Sequence, residues 1–263
     1  MTASHFTIER SSNTPRIHTH DVIDIDHFID LTSRMLPGDR VFYRGQREDW
    51  PLLPSIARER TRQPLLQGEK DMFMAFRNGA LPSLRTRPDN DWDWLALAQH
   101  HGLPTRLLDW TRSPLAALWF ATRLPATSRH SPAIVWAFSP DRSDMVDDNQ
   151  TGSRPFAGSR TKVFIPRVLE ERIRAQNGAF TVHKYVLERK KFIPLERNKR
   201  QRTKLTRFLI PAALLPSIRA ELAIRGLDAH RFFPDLDGLA ESIKTQYVFA
   251  SDEAKPSRGP ATP

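Results

Sequence analysis

The stretch Leu107-Leu108-Asp109-Trp110-Thr111-Arg112-Ser113-Pro114 constrains the fold more than any other part of this chain. Thr105–Thr111 has the length of a strand. Side chains alternate between the two faces of a strand, so the adjacent leucines point to opposite sides and part of this strand is buried on both. Ser113-Pro114 then starts a helix: a hydroxyl caps the first turn, and proline follows where an amide would have no partner. That helix runs over Pro114–Arg123 and buries Leu115, Leu118 and Trp119 or Phe120. Asp109 and Thr111 therefore stand at a strand end beside a helix N-terminus, whose free amides favour anions.

A chain of 263 residues suffices for one large domain or two small ones. All six tryptophans lie between Trp50 and Trp136, which places the main core or a ligand cleft in the first half. The absence of cysteine excludes disulfides and thiolate-ligated metals. No run approaches the roughly 18 apolar residues of a membrane span. The opening MTASHFTIERSS has no apolar signal core. The expectation is a soluble, cytoplasmic protein without a membrane partner.

The formal net charge of +10 is concentrated. Nine lysines and arginines against one acid, Glu196, give Arg189–Arg207 a charge of +8. Two readings stand: a solvated loop between strands, or a surface for nucleic acid or another acidic macromolecule. On the second reading Arg197, Lys199, Arg200, Arg202 and Lys204 carry the contacts.

Apolar spacing predicts a helix over His20–Leu36, a short strand at RVFYRG and a loop with a turn of helix at LPSIARERTRQ. It predicts a helix at 64–81 with Leu66, Met72, Phe73 and Phe76 inward. A short helix follows at DWDWLALAQHHG, with Asp91 as N-cap and Gly102 just past its end. Strands follow at AIVWAFSP, AFTVHKYVL and TRFLIPA, and helices at PRVLEERIRAQNG, SIRAELAIRGLD and after FPDLDG. Asp141–Thr161 reads as a long loop and 251–263 as a disordered tail. The mixture is α+β: one domain over 37–250, with a mixed or antiparallel central sheet split by helices, preceded by an extension with a helix over 1–36.

The successive segments FYRGQ (Phe42–Gln46), WPLLPSIAR (Trp50–Arg58), QHHGLPTRLLDWTRSPLAALWFA (Gln99–Ala121), RAQNGAF (Arg174–Phe180) and FFPDLDGLA (Phe232–Ala240) resemble the signatures of the FRG domain family. The resemblance covers Val41 to Ala240. The motif order is also similar, by analogy, to ADP-ribosyltransferases. There an early aromatic-Arg-Gly strand contacts NAD, a second strand leads into a helix beside the nicotinamide pocket, and a later strand supplies an acid. Tyr43-Arg44-Gly45 matches the first element and the Leu107–Phe120 corner resembles the second; no segment shows the third element's catalytic Glu. The resemblance implies an ADP-ribosyltransferase-like fold, NAD as substrate and an effector that modifies protein or nucleic acid.

Cleaving the glycosidic bond of NAD develops positive charge on ribose, which calls for an aimed carboxylate. Asp109 is the first candidate, with Asp235, Asp237 and Glu188 behind it; the alternative for Asp109 is a turn cap. Arg44 suits phosphate oxygens or an internal pair with Asp109, and Gly45 leaves room for a ligand. Gln46, Thr105, Arg106, Thr111 and Gln176 are candidate orienting contacts, although an arginine at a strand start also suits the surface. His101 is a candidate catalytic group or a favourable charge at a helix end. His18 and His20 have strand-like spacing but no matching ligands, and Asp235–Gly238 lacks the oxygens of a calcium loop. No phosphate-binding glycine loop, nucleophile elbow or zinc-protease motif occurs, which disfavours a serine or cysteine triad.

Overall fold

The computed structural model describes residues 16–36, 38, 40–84, 86–128, 130–146, 155–166 and 176–253. Its strands are β1 (His18–Asp21), β2 (Phe42–Gln46), β3 (Leu107–Thr111), β4 (Ala133–Phe138), β5 (Lys162–Phe164), β6 (Gly178–Val182), β7 (Tyr185–Val186), β8 (Lys191–Phe192) and β9 (Leu205–Ile210). Its helices are α1 (Ile25–Met35), α2 (Leu65–Ala80), α3 (Asp91–His100), α4 (Pro114–Thr122), α5 (Leu215–Ile224), α6 (Ala229–Phe232) and α7 (Leu236–Tyr247).

Among the described residues, seven strands form one sheet in the order β1-β9-β4-β2-β3-β6-β5, with β7 and β8 a separate pair. Every pairing in the large sheet is antiparallel except β1 with β9. The α+β class with a mixed, mostly antiparallel central sheet is what the structure has.

Residues directly opposite in paired strands share a face. Tyr43 opposes Thr111, so Tyr43, Thr111, Asp109 and Leu107 point to one side, with Asp109 opposite Phe180. The helices gather on that side in two groups. Helices α1, α4 and α5 cover one half around Tyr43, Val135 and Phe208, while α2 and α3 cover the other around Leu107, Phe164 and Phe180. On the opposite face Phe42, Leu108, Trp110 and Trp136 pack under Leu52 and Leu195. Leu107 and Leu108 thus enter different cores, as their adjacency requires.

The corner also folds as its residues dictate. The Ser113 hydroxyl accepts a hydrogen bond from the Ala116 amide, and Pro114 opens α4. Helix α4 is buried over Ala116–Trp119 and again at Ala121 and Thr122, so it carries no polar face.

Three expectations need correction. The periodicity read as a helix from His20 joins two elements: His18–Asp21 pairs with β9, and the helix begins at Ile25 behind the Asp24 cap. Four residues are too few to tell a strand from the first turn of an amphipathic helix by spacing alone. Consequently the segment taken as an extension supplies an edge strand and Val22, Ile25 and Phe28 of the core. The cap of α3 is Asn90, whose side chain accepts from the Trp92 and Asp93 amides, so Asp91 is the first helical residue. The strand expected at AFTVHKYVL is split into β6 and β7, and β7 pairs with β8 in the segment that follows rather than joining the large sheet. The helix expected over 166–178 lies mostly outside the described residues, as do residues 147–154 of the long loop and 254–263 of the tail.

Candidate functional site

Strands β2 and β3 pair at one position, Tyr43 opposite Thr111, and then separate. On one side β2 stays in register with β4 over five residues; on the other β3 stays in register with β6 over five. The sheet therefore forks at its centre, between the two helix groups.

Arg44 occupies the fork. It stands opposite Trp136 in β4, yet its guanidinium crosses to β3. There Nη1 donates to the Asp109 carbonyl oxygen at 2.8 Å and lies 3.7 Å from Asp109 Oδ2. The side chains are 21% and 58% exposed, so the pair is open to solvent on the carboxylate side. Burial lowers the guanidinium pKa from its ordinary value; the Asp109 charge opposes that fall and the nearby Arg58 adds to it. Arg44 Nε is buried without a hydrogen-bond partner among the described residues.

Gln99, in the last turn of α3, holds the carboxylate from the other side. Its Nε2 donates to both Asp109 oxygens, at 3.3 and 3.2 Å. Thr105 orients that amide: its hydroxyl donates to Gln99 Oε1 at 2.7 Å while accepting from the Leu107 amide at 3.0 Å. Beside them opens a hollow of about 130 Å³, lined by Gln99, His100, Asp109, Gln176, Gly178 and Phe180 among others. Sites for drug-sized ligands usually span roughly 300–1,000 Å³, so this hollow admits a ring-sized group.

Other candidates stand elsewhere. Gly45 faces α4: a Cβ there would lie 1.9 Å from the Ala117 carbonyl oxygen. The close approach is that of a helix backbone, and the room expected for a ligand is filled. Gln46 is buried, and its Oε1 accepts from Trp136 Nε1 at 3.1 Å. Arg106 is neither a surface residue nor in the cleft, because Glu69 of α2 binds it in the interior at 2.6 Å. The Thr111 hydroxyl donates to the Gln176 carbonyl at 2.6 Å and accepts from the Ser113 amide, closing the corner. Gln176 lines the hollow, though its Nε2 donates to the Phe232 carbonyl. His101 is exposed at the end of α3, against the rings of Phe76 and His100.

Asp235 caps α7 by accepting from the Gly238 amide at 2.8 Å, and Asp237 and Glu188 lie exposed outside the fork. The basic run is divided. Lys204 is bound to Asp141 at 2.5 Å and to the buried Asp144. Arg200 lies 3.4 Å from Asp144, and Arg207 pairs with Asp49 at 2.8 Å. Arg197 and Lys199 are exposed, and Arg202 is half-buried.

Reading the sequence missed Gln99, Glu69 and Arg58. Gln99 opens the quoted QHHGLPTR segment, seven residues before Arg106, and its distance from the strand hid it.

The region holding the fork matches a known family. Residues 39–130 match the FRG domain. No curated protein and no solved structure matches the chain. The FRG match spans β2, α2, α3, β3 and α4, and so contains Arg44, Gln99, Thr105 and Asp109. The segments RAQNGAF and FFPDLDGLA lie beyond the FRG match. No helix of the described residues is long and apolar enough to cross a membrane.

Proposed function

We propose that the fork binds a nucleotide of the NAD class and that the protein breaks its N-glycosidic bond. One observation carries this reading: Arg44 and Asp109, 65 residues apart, meet, and Asp109 lines a solvent-reachable hollow. A guanidinium offers a planar donor fork to pyrophosphate oxygens. A carboxylate held by Gln99 is aimed where charge develops on ribose as the nicotinamide leaves with the bonding electron pair. An acceptor on protein, nucleic acid or water then forms the new bond to the anomeric carbon and gives up a proton. The hollow takes the ring-sized leaving group, and the rest of the dinucleotide lies along the surface toward Arg44 and Arg58.

The test is incubation with labelled NAD and cell extract, following nicotinamide release and labelled macromolecules. Asp109→Asn and Arg44→Lys are expected to lower turnover by at least about 100-fold while the fold stays intact. A folded wild-type chain that releases no nicotinamide and labels nothing ends the proposal.

A second reading, nucleic-acid binding, is favoured by Arg197 and Lys199, which are exposed and make no ion pair among the described residues. It requires an affinity that falls with salt, with a slope reduced by about one for each phosphate contact removed. Replacing Arg197 and Lys199 without changing that slope dismisses it.

A further inference from the structure

Lys70, Phe73, Met74 and Arg77 follow the i, i+3, i+4, i+7 spacing that sets side chains in one row along a helix, here along α2. Between that row, Asp91 at the start of α3 and Phe156 lies a cavity of about 500 Å³. Small-molecule sites span roughly 300–1,000 Å³. The residues around it are distinct from those around the hollow at Asp109.

Its apolar side is built from fixed rings. Phe73 is 3% exposed and meets the Phe156 ring at 5.2 Å, and Phe156 in turn covers the Arg106 guanidinium. Met74 is 47% exposed, so its flexible thioether can close on an apolar guest. Three charged side chains line the cavity, and two match each other: Arg77 Nη1 lies 2.8 Å from Asp91 Oδ1. Lys70 is exposed and makes no ion pair among the described residues. The acids beside it in sequence are engaged elsewhere. Glu69 turns inward to Arg106, and Asp71, about 100° round the helix, accepts from Gln67 Nε2 at 2.8 Å.

We infer that this cavity binds a free carboxylic acid with an unbranched apolar chain. The carboxylate meets Lys70 Nζ, and the chain lies over Phe73, Met74 and Phe156 toward Arg77. Burial of the chain supplies most of the affinity, and Lys70 supplies the direction. One unmatched cation selects one negative charge, and a second acid at the far end would meet Asp91. Lys70 and Arg77 stand about 10 Å apart along the helix axis, the reach of an acyl chain of about eight to ten carbons. A concave site of this size takes a single molecule rather than a membrane face.

Isothermal titration of the full chain with decanoate tests the inference, with decanol and decyltrimethylammonium as the neutral and cationic probes of equal chain length. The expected result is one decanoate per chain with a dissociation constant on the order of 100 μM. Decanol is expected to bind about fivefold more weakly, and Lys70→Glu to weaken decanoate about tenfold. Met74→Glu sets a charge against the chain and is expected to weaken decanoate at least about tenfold. Both substitutions fall on exposed side chains, so circular dichroism is expected to stay unchanged. A wild-type chain that takes up no decanoate at about 1 mM overturns the inference. So does binding indifferent to Met74→Glu, which would put the acid elsewhere. Equal affinity for decyltrimethylammonium or decanol, or an affinity unchanged by Lys70→Glu, overturns the assignment of the carboxylate to Lys70.

Discussion

Arg106 and Glu69 meet in the interior with both side chains 2% exposed: Nη2 lies 2.6 Å from Oε2 and Nε 2.9 Å from Oε1. The Arg106 amide also donates to Oε1 at 3.0 Å, and the Phe156 ring covers the guanidinium at 4.8 Å. This bidentate pair ties α2 to the start of β3. Removing one partner leaves a buried charge uncompensated, at a cost of about 3–5 kcal/mol. Glu69→Gln and Arg106→Met are each expected to lose that much in urea denaturation. Glu69→Gln combined with Arg106→Met is expected to cost less than the two separate losses added. Strict additivity would mean that the two groups do not stabilise each other.

Gly45 is a packing requirement. Gly45→Ala puts a methyl 1.9 Å from the Ala117 carbonyl oxygen and 2.6 Å from the Ala121 amide, so strand or helix backbone must move. The expected loss is about 3 kcal/mol or more. Gly79→Ala, where an added Cβ meets nothing within 4 Å, is the matched control. It is expected to be neutral or to gain up to about 1 kcal/mol. Thermal unfolding of both variants checks the contrast.

His183 makes stability depend on pH. It is buried beneath Thr181, whose oxygen accepts from Trp110 Nε1 and lies in hydrogen-bond contact with His183 Nε2 at 3.1 Å. Burial pushes the imidazole pKa down from 6.5 to about 3, a bond to the Ile193 backbone opposing and the charges of Arg44 and Arg106 adding to the fall. Below 6.5 the unfolded chain takes up a proton that the folded chain refuses, so stability falls with pH from 6.5 to about 3 and is flat above. His183→Leu is expected to remove that part of the slope. Parallel slopes for the two proteins in pH-resolved denaturation would refute the assignment.

The basic run contains two kinds of charge. Lys204→Met leaves the buried Asp144 without its closest cation and is expected to cost several kcal/mol. The carboxyl of Asp144 sits below its ordinary pKa because the bonds and charges of Lys204, Gln201 and Arg200 outweigh the rise from burial. Lys199→Ala, on an exposed side chain, is expected to stay within about 0.5 kcal/mol. Equal effects in calorimetry would contradict the division.

The corner at Leu107–Pro114 was legible because its signals are local. Adjacent leucines in a strand need two cores, and a serine before a proline caps a helix wherever the chain goes next. Gly102, with φ of 86°, and Gly226, with φ of 73°, end α3 and α5 for an equally local reason, since the left-handed region favours glycine. His18–Asp21 was not legible, because an edge strand is made by its neighbour and β9 lies almost two hundred residues later. Gln99 was hidden similarly: it shares no element with Asp109 and reaches it through the return of β3 beneath α3, while Thr105, named as an orienting contact, acts on Gln99.

By itself the sequence determined which segments turn, start and stop, and which carry the Arg and Asp that meet at the fork. Those choices depend on backbone sterics, capping and periodicity within a few residues. Only the tertiary structure decided that β2 and β3 part after one pair, that Arg44 crosses the gap while Arg106 is taken inside by Glu69, and that Gly45 yields its space to α4. Two arginines with the same chemistry acquire opposite roles through register and burial, and both are set by contacts between residues tens of positions apart.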